Sequence, residues 1–69
     1  MKEITREELR EGMRITFKTI GYGYGYRLIT NTFTGTFFKH AQLGGGIWVV
    51  LDGKEKATPF HNLWGIWEA

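Results

Sequence analysis

The chain has 69 residues, with no cysteine, no serine and a single proline. Without cysteine, neither disulfides nor cysteine-ligated zinc can stabilise so small a domain. Its stability must come from a compact aromatic core, a closed sheet or self-association. The missing serine and cysteine are also the two commonest catalytic nucleophiles. We therefore predict that the protein is not an enzyme and that it uses no cofactor.

Two histidines are left as candidate general bases or metal ligands. His40 falls at the end of a predicted strand and His61 in a predicted turn. Neither belongs to a recognisable motif with an orienting carboxylate, and their spacing does not reveal the further ligands that a metal site needs. We interpret both as surface or hydrogen-bonding residues, so no catalytic residue and no metal site is predicted.

Long apolar runs are also absent. No run approaches the roughly 18 residues of a membrane-spanning helix. The charged N-terminus lacks the apolar segment of a signal peptide. We expect a cytoplasmic protein without a membrane partner.

Acidic residues are missing from a large part of the chain. Residues 1–11 carry four glutamates and three basic residues, whereas residues 12–51 contain no carboxylate at all. This central part carries four cations: Arg14, Lys18, Arg27 and Lys39. A surface of one sign favours an anionic partner, although the net charge of the whole chain is only +2.

The N-terminal residues predict a short helix. Thr5 and Glu8 have the spacing of a capping box, in which each residue satisfies a backbone amide of the other. Ile4 and Leu9 have the spacing of a hydrophobic staple. Gly12 can end the segment with a left-handed residue. The predicted helix spans residues 6–11.

The central stretch, residues 28–52, is predicted to form two strands joined by a Gly-rich connection. Apolar residues share one side of a period-two pattern on both strands: Ile29, Phe33, Phe37, Ile47, Val49 and Leu51. Threonines occupy the opposite side of the first strand, as on a solvated sheet face. Gly35 stands on the apolar side, where a missing side chain permits a bend or close backbone approach.

The other strands are predicted from the same alternation. They lie on both sides of the central hairpin: Met13–Lys18, Lys56–His61 and Leu63–Glu68. Residues 19–27 are predicted to be a long loop, and Asp52-Gly53 a tight turn. The connections leave no room for crossover helices, so the sheet should be antiparallel. The expected fold is a single mainly β domain, a five-stranded small barrel over residues 13–68 with the helix before it.

Three motifs resemble the SH3-like small barrel over nearly the whole chain. They are Glu11-Gly12-Met13-Arg14-Ile15, Phe33-Thr34-Gly35-Thr36-Phe37 and Val49-Val50-Leu51-Asp52-Gly53. The Sm/Hfq-like barrel is a related architecture, and Thr34–Phe37 with Phe60-His61 is similar to its pattern. Sm-type proteins usually join their first two strands tightly, whereas this chain inserts residues 19–27, which favours the SH3-like alternative. The resemblance implies a module that binds nucleic acid or peptides and does not catalyse a reaction.

The aromatic residues suggest where binding would occur. Tyr22, Tyr24 and Tyr26 alternate with glycines in the predicted loop, which cannot easily bury three rings. Trp48 should face away from its apolar neighbours, where it would cover a surface or form a stacking platform. In one hypothesis these rings stack on bases of RNA or single-stranded nucleic acid, while the four cations bind phosphates.

Two alternatives stay open. The tyrosine loop could instead contact a protein, as in a small adaptor or inhibitor of the size that phages and mobile elements encode. Exposed tryptophans could also mark the interface of a homo-oligomer. The candidate binding residues are the same for the nucleic-acid and protein alternatives: Tyr22, Tyr24, Tyr26, Arg14, Lys18, Arg27, Lys39 and Trp48.

Overall fold

The computed structural model describes residues 2–69 and shows a mainly β protein with one antiparallel sheet. The strands are β1 (Lys2–Glu3), β2 (Arg14–Tyr22), β3 (Leu28–His40), β4 (Ile47–Leu51), β5 (Thr58–Phe60) and β6 (Leu63–Glu68). Their order across the sheet is β1-β6-β2-β3-β4-β5. Two short 3₁₀ turns, Arg6–Glu8 and Tyr24–Tyr26, complete the secondary structure of the described residues. Over those residues, no helical segment has the length and apolarity to cross a membrane.

The predicted antiparallel pairing is confirmed, but the strand count and the barrel are not. The sheet has six strands because Lys2 and Glu3 pair with the end of β6. It is also not closed, since β1 and β5 lie at the two ends of the strand order and do not pair within residues 2–69. These end strands have only two and three residues, too few to form a closing ladder.

The predicted helix over residues 6–11 is wrong. A single 3₁₀ turn forms, closed by hydrogen bonds from the Glu8 amide to the Thr5 carbonyl and from the Leu9 amide to the Arg6 carbonyl. Glu8 still accepts a hydrogen bond from the Thr5 amide at 2.9 Å, as the capping box requires. The turn ends at Leu9 because that residue becomes extended and enters the core. Ile4, its predicted staple partner, is also buried.

The predicted long loop at residues 19–27 is shorter than expected, because its first four residues belong to β2. The glycines and tyrosines continue β2 as far as Tyr22, which pairs with Leu28 of β3. Only residues 23–27 connect the two strands, and the Gly23 amide donates to the Arg27 carbonyl at 2.7 Å. Of the Gly/Tyr repeat only Gly21 and Tyr22 join the ladder, and Tyr24–Tyr26 form the 3₁₀ turn. We call the end of this hairpin, residues 20–32, the arm.

The core lies on one side of the sheet. Ile15, Phe17, Ile47 and Val49 are completely buried, and Phe37 and Ile66 nearly so. These residues alternate with less buried ones along β2, β4 and β6, as the period-two pattern predicts. The Phe17 ring packs against two others, at centroid distances of 5.5 Å to Phe33 and 4.9 Å to Phe60. The sheet therefore curls until β5 meets β2 and β3.

Gly35 allows the curled sheet to pack closely. It pairs with Leu51 across β3 and β4, on the apolar side of the sheet. A Cβ atom at this position would overlap the Val50 carbonyl oxygen and come within 2.9 Å of the Leu51 Cα atom. The neighbouring groups are backbone atoms, which cannot rotate away as a flexible side chain would.

Replacing Gly35 by Ala should lower the free energy of unfolding by about 1–3 kcal/mol, the usual cost of overpacking a core. Gly21→Ala is the matched control, since Gly21 is also in a strand but has nothing within 4 Å of its Cβ position. Urea unfolding followed by tryptophan fluorescence measures both variants. Equal midpoints for the two variants would contradict the close-approach role of Gly35.

Candidate functional site

One face of the sheet is turned away from the core, and we call it the outer face. On β2 and β3 its residues are directly paired: Arg14 with Thr36, Thr16 with Thr34, and Lys18 with Thr32. Trp67 of β6 continues the row of Thr16, and Val50 of β4 continues the row of Thr36. The face therefore combines cations, hydroxyl groups and indole rings.

Lys18 and two tryptophans form the first cluster on this face. The Lys18 Nζ atom lies 5.7 Å from the Trp64 ring centroid and 5.5 Å from that of Trp67. At these distances a cation is attracted to the face of an aromatic ring. Trp64 is 61% exposed, and Glu3 borders the depression between the three side chains. We call Lys18, Trp64 and Trp67 the tryptophan cluster.

A glycine and a bulge build the tryptophan cluster. Lys18 pairs with Gly65, but the register then shifts so that Thr19 pairs with Leu63 and Trp64 is left unpaired at a bulge. A Cβ atom at Gly65 would overlap the Trp67 ring. The indole therefore lies directly over the glycine, next to the lysine, and bulges of this kind commonly re-aim a side chain.

Lys39 and Trp48 form a second cluster at the far end of β3. A register shift at Phe38 brings Lys39 opposite Trp48. The Lys39 Nζ atom lies 5.6 Å from the Trp48 ring centroid and 5.4 Å from that of Phe38. Trp48 also borders an open cleft of about 660 Å³ whose lining contains no carboxylate. The cleft is lined by Lys39, His40, Ala41, Gln42, Leu43, Trp48, Pro59 and His61.

Arg14 differs from the other predicted cations because it is engaged in an ion pair. Its guanidinium donates two hydrogen bonds to Asp52, from Nη1 to Oδ1 at 2.8 Å and from Nη2 to Oδ2 at 2.6 Å. These bonds hold the pKa of Asp52 below its usual value and raise the pKa of Arg14. Within residues 2–69 this is the only ion pair closer than 4.0 Å. Lys18, Arg27 and Lys39 therefore have no carboxylate partner within that distance.

The three tyrosines lie at the tip of the arm. Tyr22, Tyr24 and Tyr26 are between 78% and 103% exposed, so they pack against almost nothing. Tyr26 has a positive φ of 61° in the turn. Arg27 is beside them and, with Tyr24, lines a small depression at the tip. The tyrosines are thus a surface feature and not part of the core.

The structure distributes the predicted site residues over four places. The basic residues Lys18 and Lys39 each join an aromatic cluster on the outer face, Arg14 joins an ion pair, and Arg27 stays with the tyrosines. Trp64 and Trp67 are functional candidates that are missing from the predicted set. Trp67 follows the buried Ile66 in the strand, so the period of two predicts that the Trp67 side chain faces outward. No sequence pattern predicts the bulge that exposes Trp64.

The histidines do not converge on a metal site. His40 packs its ring against Phe37 with a centroid distance of 5.1 Å, and His61 borders the cleft beside Trp48. Over residues 2–69 no group of three or more histidines, cysteines or carboxylates is placed to hold a metal ion.

A scan against protein-family models and searches of curated proteins and solved structures found no match to this chain. The resemblance to SH3-like barrels therefore stays a prediction.

The Arg14–Asp52 pair should make stability depend on pH. The pKa of Asp52 is lower in the folded than in the unfolded protein, so the pair stabilises the fold above the unfolded value of about 3.9. That contribution is lost as the pH falls through the folded pKa. The stability difference between the native protein and Arg14→Gln should narrow between about pH 5 and pH 2.

Urea unfolding at a series of pH values measures this difference. Arg27→Gln is the control, because Arg27 has no carboxylate within 4.0 Å among the described residues and its removal should give no such acid-dependent narrowing. A gap between native protein and Arg14→Gln that stays constant with pH would contradict the role assigned to the pair.

Proposed function

We propose that this protein is a non-enzymatic binding module for RNA or single-stranded DNA, with the outer face of the sheet as its contact surface. The observation that carries the proposal is the pairing of lysine with indole rings on that face, where Trp64 is exposed and Trp48 and Trp67 are half-buried. Lys18 lies beside Trp64 and Trp67, and Lys39 lies beside Trp48. Single-stranded nucleic acid offers the matching groups, phosphates for the lysines and unstacked bases for the rings.

The tryptophan cluster supports stacking. Trp64 is 61% exposed and Lys18 is held next to its ring, so a base on the indole would lie close to a cation that can contact the adjoining phosphate. Stacking on an aromatic side chain contributes about 1–3 kcal/mol per base and tolerates any base. A duplex keeps its base faces stacked on one another, so single strands suit this surface better.

The charges support a modest electrostatic contribution. Lys18, Arg27 and Lys39 are available, whereas Arg14 already shares its charge with Asp52. The threonine hydroxyls between the two clusters can add hydrogen bonds to phosphate or sugar oxygens. So few cations predict moderate affinity with a shallow dependence on salt. The SH3-like resemblance, whose members mostly bind nucleic acid or peptides, agrees with a binding role.

A protein partner is the second candidate, and the composition of the arm favours it. The tip exposes Tyr22, Tyr24 and Tyr26, together with Leu28 at 55% and Ile29 at 42%. Tyrosine is enriched in protein interfaces, and exposed apolar groups of this kind commonly mark them. Binding at the tip and binding on the outer face use different residues and can be separated by mutation.

Trp64→Ala should weaken binding of a short labelled oligonucleotide about 5- to 150-fold, the equivalent of one lost stacking interaction. Lys18→Gln should reduce the slope of log Kd against log salt by about 0.7, one phosphate contact on a single strand. Fluorescence anisotropy at salt concentrations from about 50 to 200 mM measures both quantities.

The controls are Ile29→Ala, an exposed apolar residue of the arm on the opposite side of the sheet, and Lys54→Gln, a lysine in the turn after β4. Each should behave as the native protein. Absence of binding by the native protein at low salt would overturn the proposed function, and so would equal losses in test and control variants.

Replacing Tyr22, Tyr24 and Tyr26 together by Ser should leave the unfolding midpoint nearly unchanged, because surface substitutions usually change stability by less than about 0.5 kcal/mol. If the arm binds a protein, this variant loses that partner while it keeps its affinity for oligonucleotides. If the tip also stacks on bases, the affinity for oligonucleotides falls too. Unfolding of the variant would show that the tyrosines are structural and would contradict their assignment as a binding surface.

A further inference from the structure

The longest strand has a free edge over nearly half its length. β3 has 13 residues, of which β2 pairs with Leu28–Thr36. On its other side, the β4 ladder begins only at Gly35, with one further hydrogen bond from the Asp52 amide to the Thr34 carbonyl. Residues 28–33 therefore have a strand neighbour on one side alone. We call this segment the free edge.

The alternation of the ladder shows which backbone groups the free edge presents. The backbone groups of odd-numbered residues bond to the β2 side. The Phe37 amide donates to the Met13 carbonyl, and the Arg27 carbonyl accepts from the Gly23 amide. Even-numbered positions bond the other way, as the Thr34 carbonyl does. The amides and carbonyls of Leu28, Thr30 and Thr32 therefore point away from β2, and no backbone group among the described residues bonds to them.

Nothing in the free edge discourages another strand. Natural edges are usually protected by charges, proline, bulges or short length. Residues 28–33 contain no charged residue and no proline, and their pairing with β2 has no register shift. By contrast, β1 and β5, the strands at the two ends of the sheet, are short, and β5 contains Pro59.

We propose that the free edge pairs with the free edge of a second copy of this chain, antiparallel and about a two-fold axis. In the register centred on Thr30, this residue faces the partner's Thr30, and Leu28 faces the partner's Thr32. The three outward pairs exchange about six backbone hydrogen bonds, two for each pair. The proposal goes beyond nucleic-acid binding and does not rest on it.

The ends of the free edge favour this register. At one end, Tyr26 has left the extended conformation with its φ of 61°, and at the other the Thr34 carbonyl is already bonded to Asp52. A pairing centred on Thr30 uses every free group between these limits. One centred elsewhere leaves some of them without a partner.

The side chains agree with self-pairing. Leu28 and Ile29 are 55% and 42% exposed, and each would gain a neighbour on the adjoining strand. Arg27 would come opposite the partner's Phe33, so no cation meets another cation. A contact between identical patches about a two-fold axis is also closed, which prevents growth into fibres.

A covalent trap tests the register, since the chain contains no cysteine of its own. In Thr30→Cys the two sulfurs face each other across the axis, with a Cα separation of about 5.5 Å that a disulfide accepts. Mild oxidation should give a covalent dimer. Asn31→Cys is the matched control, because its counterpart is the partner's Ile29, and it should cross-link far less. Equal cross-linking of the two variants would overturn the register.

Analytical ultracentrifugation over a range of concentrations tests the association itself. The average mass of the native protein should increase with concentration, from the monomer mass of 8.0 kDa toward twice that mass. Thr30→Lys puts two ammonium groups together at the axis and should remain monomeric, whereas Thr58→Lys, the same change at an exposed position of β5, should associate as the native protein does. A native protein that stays monomeric throughout would overturn the proposal, as would a Thr30→Lys variant that still dimerises.

Discussion

The packing of Phe17 against Phe33 and Phe60 is the contact on which the rest of this structure depends. It joins β2, β3 and β5, although β4 lies between β3 and β5 in the sheet. The strands can meet only if the sheet curls strongly, and Gly35 permits the curl because it lets the β4 backbone come close. A domain of this size buries only about 60% of the surface of its unfolded chain, so a curled sheet that encloses its own core provides stability without disulfides.

The curvature of the sheet determines which side chains lie on the outer face. Side chains that alternate with the core residues are pushed outward, where a short domain has no second layer to cover them. Threonines in that position are ordinary, but the lysine–tryptophan clusters are not, since indole rings on a solvated face leave apolar surface exposed. Each ring has an ammonium group within 6 Å of its centroid, close enough for a favourable cation–π interaction.

The arm has a different origin. β2 and β3 continue beyond the last pairs that β6 and β4 can offer, so residues 20–32 form a two-stranded ribbon with little core beneath it. An isolated ribbon is only marginally stable in water. The exposed tyrosines and the free edge are both consequences of this length mismatch, and both are places where a partner would add stability.

The sequence by itself determined the strand faces and several turns of this protein. The alternation around Phe37 and Val49, the last strand Leu63–Glu68 and the Asp52-Gly53 turn are local patterns, because side-chain direction in a strand has a strict period of two. The outward direction of Trp48 and Trp67 followed from the same period. The tertiary structure decided the rest. A 3₁₀ turn replaced the predicted helix because Leu9 became extended and entered the core, and β2 includes the first four residues of the predicted loop because they pair with β3. The Arg14–Asp52 pair and the bulge that brings Trp64 to Lys18 join residues far apart in the chain, and no local pattern specifies such contacts.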